Sequence, residues 1–192
     1  MANPVIYSTT VQSGVDINSV FLLDTKSAPE YPAPPFYPGE IAWGTDGSSW
    51  VYCTASQTLS AGMVGIVSEV PGSWSVAPIG GATIATAPTG DFVGVVGGPG
   101  GTLGIPAPSG TQTASYFWLQ RAGNAANVSC AASTTKDAQL HSSATVAGQV
   151  SSSGGGSGTT YNITGMVISQ ATGSTAGPNT AILNWPTIGL TN

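Results

Sequence analysis

No apolar stretch in this chain is both long enough and spaced correctly to make a helix. The candidate runs lie at 50–55, 63–67, 92–96, 116–121, 145–150, 163–169 and 181–185, each short and bounded by Gly, Pro, Ser or Asn. No window of ten or more residues repeats its apolar positions every 3.6 residues, the spacing an amphipathic helix requires. Residues 135–140 allow one helical turn at most. Glycine (27) and proline (14) occupy about a fifth of the 192 positions, and both interrupt helices. Many short β-branched or aromatic runs with this punctuation specify an all-β fold, a compact antiparallel sandwich or barrel. Alternation within 50–55 puts Trp50, Tyr52 and Thr54 on one face. The preceding Asp46-Gly47 pair marks a tight turn back to a strand at 41–43.

Residues 1–39 have a different texture and form the second part of the expected organisation, ahead of a β-domain at 40–192. Of the six prolines in this segment, five fall in "PEYPAPPFYP" at 29–38. Proline fixes φ and removes an amide donor, so this stretch is neither helix nor central strand. It reads as an extended Pro-rich arm of polyproline character, roughly 30 Å long. Tyr31, Phe36 and Tyr37 lie among these prolines, a density of aromatics that a solvated linker rarely carries. They are the expected contacts of the arm with a neighbouring surface, the alternative being a strap packed on its own domain. Two low-complexity segments, 97–110 and 151–160, read as outward-facing loops, the first pinned at one point by Leu103 or Ile105.

Charge narrows the partners. Only 6% of residues are charged, against roughly 25% in an ordinary domain, and the net charge is −5. Lys26, Arg121 and Lys136 are the only fixed cations. Three scattered cations cannot neutralise a phosphate backbone, so nucleic acid is not an expected partner, and anionic lipid is excluded on the same ground. No apolar run approaches the ~18 residues that span a bilayer. The first 23 residues lack Lys, Arg and an unbroken apolar centre, so no secretory signal is expected. The sequons at Asn127 and Asn162 are on that basis chance matches. Cys53 and Cys130 are too few for a disulfide framework and read as two reduced thiols in small apolar surroundings, a single bridge being the alternative.

No catalytic constellation emerges, and no catalytic, cofactor-binding or metal-binding residue is expected. His141 is the only histidine and lacks a nucleophile elbow nearby; a surface or edge-strand role is its expected one. Zinc would require Cys53, Cys130, His141 and a carboxylate, without the usual close-spaced ligand pairs. Neither lysine follows a glycine, so no phosphate-binding loop is present. Asp46, Glu69 and Asp91 are candidate paired acids, Asp46 being already claimed by the turn. Of the tryptophans at 43, 50, 74, 118 and 185, Trp50, Trp118 and Trp185 sit in strand patterns, where core packing is the ordinary role.

The succession "GTDGSSWVYCTAS" (44–56), "AGMVGIV" (61–67), "FVGVV" (92–96), "YFWLQRAG" (116–123), "CA" (130–131), "TVAGQV" (145–150), "ITGMV" (163–167) and "AILNWP" (181–186) resembles the small β-rich capsid decoration, or cement, proteins of tailed bacteriophages. Segment 97–110 looks like an insertion in that pattern, and the arm matches only in being extended. The resemblance implies a non-enzymatic virion protein without cofactors, made in the host cytoplasm. Such a protein binds the outside of the major capsid protein shell and stabilises the head, as a homo-oligomer, trimer or dimer. A charge-poor chain suits a large preformed partner, because bridging several subunits makes the later contacts intramolecular. The competing expectation is a receptor- or carbohydrate-binding module on a phage fibre or tail, with tryptophans exposed in a groove.

Overall fold

The computed structural model describes residues 6–8, 16–24, 33–70, 73–81, 92–97, 104–110, 112–153 and 160–190, and every regular element among them is a β-strand. In chain order these are β1 (Ile6–Ser8), β2 (Phe21–Asp24), β3 (Ile41–Gly44), β4 (Ser49–Ala55), β5 (Leu59–Ser60), β6 (Val64–Val70) and β7 (Ser73–Pro78). There follow β8 (Phe92–Val96), β9 (Gly104–Ile105), β10 (Gln112–Cys130), β11 (Leu140–Ser142), β12 (Val150–Ser151), β13 (Tyr161–Ile168) and β14 (Gly177–Leu190). The all-β class is as the sequence predicts.

Strand pairing closes on itself twice. β4, β7, β6, β8 and β10 follow one another through backbone hydrogen bonds and return to β4. A second circuit runs β10, β14, β13, β11, β12 and back to β10. The 19-residue β10 belongs to both and ties them together. The sheet is therefore mixed rather than purely antiparallel. A closed ring of five strands cannot alternate direction all the way round, so each ring needs at least one parallel pair. Those pairs are β4–β7 and β10–β12.

Each ring has its own apolar filling, and β6 and β8 are the wall between them. Val67 and Val96 join Val51, Cys53, Val76, Phe117 and Leu119 in the first core. On the opposite faces, Val64, Ile66, Val93 and Val95 join Val128, Leu140, Tyr161, Ile163, Ile168 and Leu183 in the second. Burial on both faces explains why 63–67 and 92–96 are nearly continuous apolar runs instead of alternating ones.

A third, aromatic cluster lies on the outer face of β4 and β10, where Trp50, Tyr52 and Trp118 are buried together with Ile17 and Ala42. Trp118 stands directly opposite Tyr52 across the β4–β10 pair, and Thr54 opposite Tyr116. The alternation predicted for 50–55 thus places its aromatics on one face, as expected. The turn at 44–47 forms too: Gly47 donates to the Gly44 carbonyl at 3.1 Å with φ +80°, and Asp46 Oδ1 accepts from the Ser48 amide at 3.0 Å.

The described pieces of 1–39 lie on this same body. β1 pairs with β3, β2 pairs with β10, and Phe36 packs edge-on against Tyr52 and Trp118 at ring distances of 5.4 and 5.0 Å. Tyr37-Pro38-Gly39-Glu40 closes a turn, with the Glu40 amide donating to the Tyr37 carbonyl at 3.0 Å and Gly39 at φ +91°. Proline second and a left-handed glycine third are what such a turn demands. A Cβ at Gly39 would also overlap the Trp74 indole.

One strand expectation needs correction. Residues 145–150 do not form a strand; β12 covers only Val150–Ser151. Ser143 Oγ accepts from the amides of Thr145 and Val146, and those amides are thereby withdrawn from ladder pairing. In the loop at 97–110, Ile105 is wholly buried in the first core and β9 pairs with β5, which is the single pin the sequence suggests, while Gly104, Pro106 and residues 108–110 are exposed. Leu103 and residues 154–159 of the second loop lie outside the described residues.

Candidate functional site

Of the three arm aromatics singled out by sequence, Tyr31 lies outside the described residues. Phe36 is committed to the chain's own aromatic cluster, whereas Tyr37 is 82% exposed. The structure therefore separates neighbours that the sequence groups. Tyr37 is held at the start of a closed turn whose Gly39 amide donates to the Tyr52 carbonyl at 2.8 Å and whose Glu40 carbonyl accepts from the Tyr52 amide at 2.9 Å. The turn is stitched to β4, so an exposed ring is carried on a fixed backbone.

A second concentration of aromatics was not legible as a group. Trp43 on β3 and Trp185 on β14 are both exposed, with ring centroids 5.9 Å apart and planes tilted by 57°. Behind them the buried Arg121 guanidinium lies 5.1 Å from the Trp185 ring and 4.3 Å from that of Phe92, and Phe92 stacks on Trp74. Cation–π contacts of this kind strengthen as the cation loses water. Trp50 and Trp118 are core residues as expected, but Trp185 is not.

The backbone accounts for that difference. Opposite the single Gly165, β14 carries three residues, Asn184, Trp185 and Pro186, because the register jumps from Thr164–Thr187 to Met166–Leu183. Trp185 takes φ +49°, a conformation that bulky residues rarely adopt, and its indole leaves the core face. Before this bulge β14 pairs with β10, and after it Thr187 pairs with Phe92 of β8. The available signal was Pro186, since proline inside a strand run marks a bulge or an edge.

Among the described residues, those considered for catalysis do not come together. His141 is half-buried on β11, between β12 and β13 rather than at an edge, and its Nδ1 has no hydrogen-bond partner among the described residues. Asp46 is engaged in its turn, Asp91 lies outside the described residues, and of the Glu69 side chain nothing is described. Cys53 sits in the first core and Cys130 in the second, both as free thiols. Burial pushes the Cys130 thiol up to about 11; at Cys53 it raises the thiol well above its usual range, outweighing the opposing pull of Arg121. Among the described residues no three His, Cys, Asp or Glu side chains gather as a metal site. An open groove of about 550 Å³ is lined by Ala61, Asn127, Ser129, Gln149 and residues 176–178, all uncharged.

No protein-family model matches this sequence, no curated protein matches it, and no solved structure matches its fold.

Proposed function

We propose that this chain is a structural protein of a tailed phage that attaches to the outer surface of the major capsid protein shell and stabilises the head. It does so by binding, without catalysis. The observation that carries the reading is Tyr37, an exposed aromatic on a proline-braced turn locked to β4. An anchor ordered before it binds loses little conformational entropy on docking, and tyrosine is among the residues that dominate interface energetics. A charge-poor surface adds little desolvation cost against a large protein partner. Self-association into a trimer or dimer would multiply such anchors on one shell.

The test uses heads prepared without the protein. Removing residues 1–38 would also remove β1, β2 and Phe36, which pack on the domain itself. The cleaner variant is Tyr37→Ala, followed by co-sedimentation with heads. Attachment weakened about tenfold or more is the expected result; wild-type occupancy by a folded Tyr37→Ala protein would count against the reading.

A further inference from the structure

We propose that the Trp43–Trp185 corner is a binding subsite for a neutral pyranose residue, a function separate from shell attachment by Tyr37. Trp43 and Trp185 are 46% and 36% exposed, and their tilted planes form two walls of an open corner. Arg121 holds one side of Trp185 from within, so the platform exists before a ligand arrives. Trp43, Ser49, Ala122 and Asn184 stand in one row across β3, β4, β10 and β14. Asn184 is exposed at the far end of that row, while Ser49 Oγ is buried within it without a hydrogen-bond partner among the described residues. Thr45 and Asp46, next to Trp43, are exposed in the adjoining turn.

The left-handed backbone at Trp185 is the independent observation. A bulky residue in that region, followed by proline, is an uncommon conformation that recurs at ligand sites. An indole needed only for packing would sit in the core-facing position that an unbulged strand provides. Here the bulge turns it outward onto Trp43 instead. Indole planes accept the apolar C–H faces of a sugar ring whose hydroxyls are equatorial, and amide and hydroxyl side chains at the rim serve the hydroxyls. With Arg121 buried behind Trp185, Asp46 is the only charged residue among the rim residues named here, which favours an uncharged ligand.

The intact protein is titrated with cellohexaose, chitohexaose and maltohexaose, following tryptophan emission and indole N–H resonances. Saturable binding of at least one of these is expected, weakened about tenfold or more by Trp43→Ala and by Trp185→Ala, and unaffected by Tyr37→Ala. Thermal unfolding reports whether each variant is folded. Should Trp185→Ala fail to fold, Trp185→Phe keeps a smaller ring and is expected to bind with intermediate affinity. No response to any of the three at ~10 mM overturns the proposal, as does wild-type binding by folded Trp43→Ala. Loss of attachment to heads by the tryptophan variants, without any saccharide binding, would make this corner a protein-docking surface and sink the proposal, leaving the shell reading intact.

Discussion

Phe36 and Tyr37 are adjacent aromatics that the backbone sends to different environments, and their substitutions should separate accordingly. Phe36→Ala removes two edge-on ring contacts and part of a buried surface, and should lower the unfolding free energy by about 2 kcal/mol in chemical denaturation. Tyr37→Ala removes an exposed ring and should change stability by less than about 0.5 kcal/mol. Gly39→Ala should cost about 2 kcal/mol, since it combines a positive φ with a clash against Trp74. The sequence makes the aromatics and the turn at 37–40 visible, because proline and glycine carry local conformational information. It does not separate Phe36 from Tyr37, because that depends on Tyr52 and Trp118, which lie far along the chain.

Half of the described strands, β3, β4, β6, β8, β10, β13 and β14, were legible because each needs only a short run of suitable residues between breakers. Their closure into two rings was not: it depends on pairings such as β10 with β12, where Cys130 alone meets Val150. The expected strand at 145–150 failed for a local reason, the capture of two amides by Ser143. The Trp43–Trp185 pair was hidden because Trp185 fits a strand pattern whose alternation the bulge interrupts. The segment ending in β9 makes a further prediction. Ile105 is wholly buried and pins the otherwise glycine-rich stretch to the first core, so Ile105→Ala should cost about 3 kcal/mol. Hydrogen exchange should then show faster amide exchange in β5 and β9, with β10 still the slowest.

At the scale of the whole molecule, three buried acids among the described residues contribute to the response to alkali. Burial, with the Tyr116 phenol adding to it, raises Tyr52 well above its usual range, and burial raises both thiols. These groups bind protons more tightly when folded, so their contribution is fully present below the unfolded-state thiol value near 9 and is lost as pH rises through the folded values. The thermal unfolding midpoint should fall above about pH 9, and Cys130→Ala should make that fall shallower. In the folded protein both thiols should resist alkylation at neutral pH, as protonated buried thiols do. The charge-poor character of the chain was legible from composition alone; the partner proposed for it comes only from resemblance. Imaging phage heads with and without this protein therefore tests the central claim most directly. Extra density on the outer face of the shell, fitting the two-ring body with the 37–40 turn against the shell, is the predicted result. An unchanged head exterior, or density confined to the tail, would contradict it.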